Sequence, residues 1–199
     1  MNNQRWIVNK PGAIDHMRFE SFDIVEPGDD EIQIRQFAIG VNMIDTYVIS
    51  GDYDIDPYPL TPGVEGAGRI SAVGQNIKEF SPGDRVAYGG PPLGAYATTR
   101  NMKPDYVVKI PDQLQYEDAA AIMISGLTAQ MMVKRVYPVN KKTKVLVHGA
   151  AGSSGDSLVR WSKHLGATVF GTVGSTDKEG RAKAAGCDHV INYSKTNFS

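Results

Sequence analysis

The stretch from Lys144 to Lys163 constrains this chain more than any other. An apolar run, Lys144-Val145-Leu146-Val147-His148, leads at once into Ala150-Ala151-Gly152-Ser153-Ser154-Gly155, and apolar residues at helical spacing follow through Leu158, Val159, Trp161 and Leu165. Strand, glycine-rich turn and helix in that order fit the entry to a dinucleotide-binding unit, with alanine at the first glycine position. Small residues are needed there because the backbone must approach a pyrophosphate closely, while free N–H groups at the helix start donate to its oxygens. A tight turn with no ligand can share the glycine pattern. The reading therefore rests on the register of all three elements.

The rest of the second half supports it. Residues 116–137 are rich in Ala, Met and Leu, and glycine at 126 predicts two short helices hinged near Ser125-Gly126. After the 144–148 strand and its helix, a second strand is expected at Thr168-Val169-Phe170-Gly171-Thr172, a helix over 177–185, and a third strand at His189-Val190-Ile191-Asn192-Tyr193. Strands alternating with helices imply a parallel sheet built by right-handed crossovers. Folds of this type that take NAD usually set an acid at the end of the second strand, ~20 residues on, for the ribose 2′-hydroxyl. Here that place reads Thr172-Val173-Gly174-Ser175, with Lys178 one turn later, so NADP(H) is preferred over NAD(H). An ordinary solvated helix lysine would look the same.

The first half has another texture. Short alternating runs such as Arg5-Trp6-Ile7-Val8, Glu31-Ile32-Gln33-Ile34-Arg35, Gly68-Arg69-Ile70-Ser71-Ala72-Val73 and Asp84-Arg85-Val86-Ala87-Tyr88 are divided by Pro27-Gly28-Asp29-Asp30, Pro62-Gly63, Ser81-Pro82-Gly83-Asp84 and Gly89-Gly90-Pro91-Pro92. Eight or more such runs predict an all-β barrel or sandwich up to about Pro111. With 21 Lys and Arg against 22 Asp and Glu, the chain lacks the cationic excess of a nucleic-acid binder. The longest uncharged apolar stretch, 119–133, falls short of the ~20 residues a membrane span needs. One cysteine, Cys187, cannot form an internal disulfide, and the opening residues lead into no signal-type run, so a cytoplasmic location is expected.

Several further segments, in order, carry a resemblance over essentially the whole chain. They are Ile39-Gly40-Val41-Asn42-Met43-Ile44-Asp45-Thr46-Tyr47, Pro62-Gly63-Val64-Glu65-Gly66-Ala67-Gly68, Gly83-Asp84-Arg85-Val86, Gly126-Leu127-Thr128, and the strand, turn and helix of 144–163. In these the chain resembles the quinone oxidoreductases, the zeta-crystallin-like, zinc-free branch of the medium-chain dehydrogenase/reductase superfamily. The resemblance implies an α/β protein with a β-barrel domain: a chaperonin-10-like (GroES-like) barrel on the substrate side over 1–120, then the first half of a Rossmann doubly wound parallel sheet over 121–199. It implies that Asn42, Tyr47 and Tyr53 line the pocket for substrate and nicotinamide, Asn42 and Tyr47 as donors. Thr128 and Met131 would face the nicotinamide half, Ala151, Gly152, Ser153 and Ser154 the pyrophosphate, and Gly174, Ser175, Lys178 and Tyr193 the adenosine 2′-phosphate. Without it, Asn42 fits a turn residue and the tyrosines fit strand residues with an apolar ring and a wet tip. Glu65 and Arg85 read as structural residues of the barrel, and Cys187 as a small core residue.

Zinc-dependent relatives carry a ligating cysteine where this chain has Asn42 and a histidine where it has Val64, so no metal is expected. The implied chemistry passes reducing equivalents from NADPH to a small quinone or activated enone, and hydrogen-bond donors stabilise the charge that builds on a carbonyl oxygen. Some residues depart from the pattern. Gly152-Ser153-Ser154-Gly155 stands where Gly-Gly-Val-Gly is usual, Asp156 puts a carboxylate beside the phosphate loop or caps the helix, and Met131 replaces a frequent aromatic. Family chains also continue well beyond the third strand. On that ground the chain reads as truncated at its C-terminal side, and the 144–148 strand as a bare edge. A non-catalytic remnant or binding module that keeps the barrel is the alternative, and a homo-oligomer or a complementing chain stays open.

Overall fold

The computed structural model describes residues 3–53, 55 and 57–196. The chain forms two compact units, Met1–Met123 and Ile124–Ser199.

In the first unit, β1 (Asn3–Val8) pairs antiparallel with β2 (Met17–Phe22). A five-stranded antiparallel sheet is built from β3 (Ile32–Ile39), β4 (Glu65–Val73), β5 (Arg85–Gly89), β6 (Thr99–Met102) and β7 (Val107–Lys109), in the order β6-β3-β4-β5-β7. Alternation along β3 buries Ile32 and Ile34 while Arg35 faces water, and these meet Ile70, Val86, Tyr88 and Met102 in one core. Burial of each such side chain stabilises by roughly 1.5–3 kcal/mol. The β1–β2 ribbon is tied to the segments that precede β4 and β6 through the bridge from Val8 to Leu60 and through Trp6 N–H to Tyr96 O at 2.8 Å, giving a barrel-like unit.

This unit is not all-β. A helix, α1 (Met43–Ser50), follows β3; Asn42 and Asp45 form a capping box at its start, and Gly51 ends it with φ +87°. Only a residue free of a Cβ adopts that left-handed cap readily. Tyr47 therefore lies on a helix and Tyr53 just beyond it, not on strands. The hinge expected at Ser125-Gly126 is also absent. A single helix, α2 (Tyr116–Gln130), passes through both residues and widens into a π-helical turn at Met131–Val136. Glycine weakens a helix interior by only about 1 kcal/mol, and no proline interrupts the run.

The second unit alternates β8 (Lys144–Val147), α3 (Ser153–His164), β9 (Thr168–Val173), α4 (Thr176–Ala185) and β10 (His189–Asn192). Its three strands are parallel in the order β10-β9-β8, as the alternating pattern requires. Val147, Val159, Val169, Val173 and Ala182 fill the core. Lys163 joins Asp188 at 2.8 Å, and Asp188 also accepts the N–H of Val169 at 2.7 Å. β8 is an edge strand, and Leu146 on it is 51% exposed.

Candidate functional site

The loop after β8 is shaped by its own backbone. The Ala150 N–H donates to Thr172 O at 3.0 Å, and the Gly152 N–H donates to Gly149 O at 2.8 Å. Gly152 is the N-cap of α3 and brings no side chain to the helix end. The first N–H groups of a helix have no intrahelical acceptor, and the helix dipole makes that end positive. Gly152, Ser153 and Ser154 are exposed, so those donors open to solvent, while Ala150 and Ala151 are buried and offer only backbone. Gly155 holds the helix against the loop: a Cβ there would lie 2.2 Å from Gly149 O. Asp156 does not place a bare charge beside this end. Arg160 holds its carboxylate at 2.6 Å across one helical turn.

At the end of β9, Gly174 and Ser175 meet Tyr193, which follows β10. A Cβ on Gly174 would sit 2.5 Å from Tyr193 Oη, so glycine leaves room for the phenol. Ser175 caps α4, and its hydroxyl holds the Asp177 carboxyl below its usual range. The Lys178 ammonium is exposed and has no ion-pair partner among the described residues. Thr128 is half-buried on α2 and Met131 is exposed at the start of the π turn; Ser157 of α3 donates to Ser125 of α2 at 3.2 Å. These observations meet the needs of a pyrophosphate at the head of α3 and of an anion beside Lys178. A second feature of this unit is a cavity of about 550 Å³ along β8, lined by Met132, Val133, Tyr137, Val139, Leu146 and Leu158 among others.

In the first unit, Tyr47 and Tyr53 lie with ring centroids 5.9 Å apart, and the Tyr53 N–H donates to Tyr47 O at 3.1 Å. Both rings are exposed, and neither phenol oxygen has a hydrogen-bond partner among the described residues. Asn42 is placed differently. Its N–H donates to Asp45 Oδ2 at 2.8 Å, and its Nδ2 donates to Glu65 Oε1 at 2.7 Å. Asp45 is almost fully buried and also accepts the Tyr96 hydroxyl at 2.9 Å. Burial holds the Asp45 carboxyl above the ordinary range, against those two hydrogen bonds, and burial together with the Asp45 charge pushes the Tyr96 phenol up. Sequence reasoning missed the roles of Asp45 and Tyr96. The Asn42-x-x-Asp45 spacing is the helix-start signal that points to the first; nothing local points to Tyr96, which is 51 residues away. Arg85 donates to the carbonyls of Pro111, Asp112 and Leu114, a structural use. Val64, beside Glu65, is buried and carries no ligating atom.

Residues 28–112 match the alcohol dehydrogenase GroES-like domain. Over 97% of its length the chain is 36% identical to a 2-haloacrylate reductase of a Burkholderia species, and over 94% it is 39% identical to a quinone oxidoreductase of Pseudomonas aeruginosa; it covers 60% and 58% of those two proteins. The solved quinone oxidoreductase of Pseudomonas syringae pv. tomato superposes with a TM-score of 0.96 at 39% identity, and that of Escherichia coli, complexed with NADPH, with 0.95 at 36%. Each covers 98% of this chain, which covers 60% of each. The chain thus spans about three-fifths of the length of these relatives. By sequence and by fold, the chain is similar to these quinone oxidoreductases over nearly the whole of its own length.

Proposed function

We propose that this chain carries the substrate-side unit and the phosphate-gripping part of the nucleotide unit of a zinc-independent, NADPH-dependent reductase of quinones or activated enones. The observation that carries the reading is the head of α3: glycine-capped, exposed and packed so closely on its loop that residue 155 has no room for a Cβ. The N–H groups of Ser153, Ser154 and Gly155 bind the pyrophosphate oxygens, and the two serine hydroxyls add donors. Lys178 holds the 2′-phosphate, with Tyr193 and the bare backbone of Gly174 shaping its surroundings, and this favours NADP(H) over NAD(H). Thr128 and Met131 face the nicotinamide half. When bound, NADPH supplies the reducing equivalents. In the first unit the free phenol of Tyr47 and the remaining N–H of Asn42 donate to the substrate carbonyl and stabilise the charge that develops on it, while the ring of Tyr53 flanks the substrate.

Donors of this kind suit a substrate whose negative charge is spread by conjugation, which is why a quinone or enone fits better than a simple ketone. A single free and buried cysteine, Cys187, suits a reducing compartment such as the cytoplasm. The test is a fluorescence titration of the 199-residue chain with NADPH and with NADH, followed by addition of a quinone. Saturable binding that prefers NADPH, with quinone-dependent oxidation, is expected. Binding without oxidation would make the chain a nucleotide-binding module, and no binding of either coenzyme would refute the reading.

A further inference from the structure

Asn42 and Glu65 stand 23 residues apart, yet the fold joins them. Glu65 opens β4, is only 3% exposed, and takes an N–H of the Asn42 amide on its Oε1 at 2.7 Å. The room for this carboxylate comes from Gly40. A Cβ at residue 40 would lie 2.0 Å from Glu65 Oε1, and the Gly40 N–H donates to Glu65 O at 3.2 Å. Gly40, Asn42 and Glu65 thus form one interlocked unit at the head of α1.

A side-chain amide has two N–H donors and one oxygen, and its two flipped orientations fill almost the same space. Contact with a carboxylate decides between them, because the opposite flip would set oxygen against oxygen. In the observed orientation Glu65 takes one N–H of the Asn42 amide, while the Asp45 N–H donates to the main-chain carbonyl of Asn42 at 3.0 Å. One N–H is left, on a residue that is half-buried.

We infer that Glu65 is a positioning residue for the reaction proposed above: its carboxylate fixes the flip of Asn42 and so presents the remaining amide N–H, not the oxygen, to the substrate carbonyl. This rests on the reading of Asn42 as a substrate donor. Glu65→Gln removes the preference, since a glutamine can offer either its oxygen or its N–H to Asn42. Gly40→Ala keeps the charge but drives the carboxylate off its place.

The experiment measures equilibrium binding of duroquinone to the full chain by quenching of intrinsic fluorescence, for the wild type, Glu65→Gln, Gly40→Ala, Asn42→Ala and the Asn42→Ala/Glu65→Gln double variant, with a thermal melt of each. Loss of one substrate hydrogen bond corresponds to affinity weaker by about ten-fold. That loss is expected for Glu65→Gln, Gly40→Ala and Asn42→Ala alike, and Glu65→Gln should add nothing once Asn42 is alanine. A purely structural role would lower melting temperatures and leave duroquinone affinity unchanged, or would make the two effects additive; either result overturns the inference. Should Glu65→Gln fail to fold, Gly40→Ala supplies the same comparison. A wild type that does not bind duroquinone would overturn the substrate reading itself, and the positioning role with it. In amide NMR spectra the two Asn42 Hδ2 protons should be widely separated in the wild type and close together in Gly40→Ala, and unchanged separation would count against the inference whatever the binding data show.

Discussion

Gly155→Ala separates close packing at the phosphate loop from ordinary helix propensity, because the two predict opposite signs. In a helix, alanine is favoured over glycine by about 1 kcal/mol. At residue 155, however, the added methyl would lie 2.2 Å from Gly149 O, 2.9 Å from Gly149 C and 3.0 Å from Ala150 Cα, all backbone atoms with no flexible tail to withdraw. Reaching the 3.4 Å where ordinary contact begins requires 3.4 − 2.2 = 1.2 Å of movement by the first turn of α3 away from the loop. Overpacking of this kind costs about 1–3 kcal/mol, and a rigid backbone contact belongs at the upper end, so the variant should lose about 2 kcal/mol net of propensity. For a chain of this size that lowers the melting temperature by roughly 4–8 °C. The same movement withdraws N–H donors from a bound pyrophosphate, and losing one such charge-assisted bond weakens NADPH binding by at least about ten-fold. Gly180 of α4 is the control: its added methyl meets nothing within 4 Å, so Gly180→Ala should gain about 1 kcal/mol and leave NADPH affinity alone. Urea unfolding followed by circular dichroism, with an NADPH titration on each variant, reads both quantities. If Gly155→Ala proves as stable as Gly180→Ala and binds NADPH as tightly as the wild type, the loop is not close-packed and the account of the phosphate grip is wrong.

Lys178→Ala should weaken NADPH binding by about ten-fold and leave NADH binding within two-fold or so, since only the former carries a 2′-phosphate; equal losses for both coenzymes would remove Lys178 from the site. Asp45 supplies a pH test. Burial holds its folded-state value above 3.8, so the folded chain binds the proton more tightly than the unfolded one, and this contribution favours folding at low pH and fades as pH rises through that window. Asp45→Asn keeps an acceptor for the Asn42 N–H and the Tyr96 hydroxyl, so the wild type should gain melting temperature relative to the variant as pH falls from about 7 to about 4. The opposite trend would mean that hydrogen bonding outweighs desolvation. Leu146→Lys, on the exposed edge of β8, should reduce self-association of the chain at high concentration in light scattering, and an unchanged association state would show that this edge is not the contact.

Much of the second unit was legible because its signals are local. The strands at 144–147, 168–173 and 189–192, and the helices between them, follow from apolar periodicity and from glycine at their joints, all set within a few residues. The short helix α1 was hidden in a β-rich segment, since eight residues give little periodicity and its capping box alone marked it. The hinge at Gly126 was overestimated because propensity is a weak term beside the burial of Ala119, Ala120 and Ala129 along the same helix.

The sequence by itself determined the kinds of elements, the place of the glycine-rich turn and the residue types proposed to meet a nucleotide and a carbonyl. Only the tertiary structure decided what each polar group is left free to do. Asn42 meets Glu65 from a distant strand, Tyr96 reaches Asp45 of α1 from the loop before β6, and Tyr193 lies over Gly174 because β10 runs beside β9. Backbone propensity and side-chain period act over a turn of helix or a few strand residues, whereas a hydrogen bond between distant residues exists only once packing has brought its two partners together.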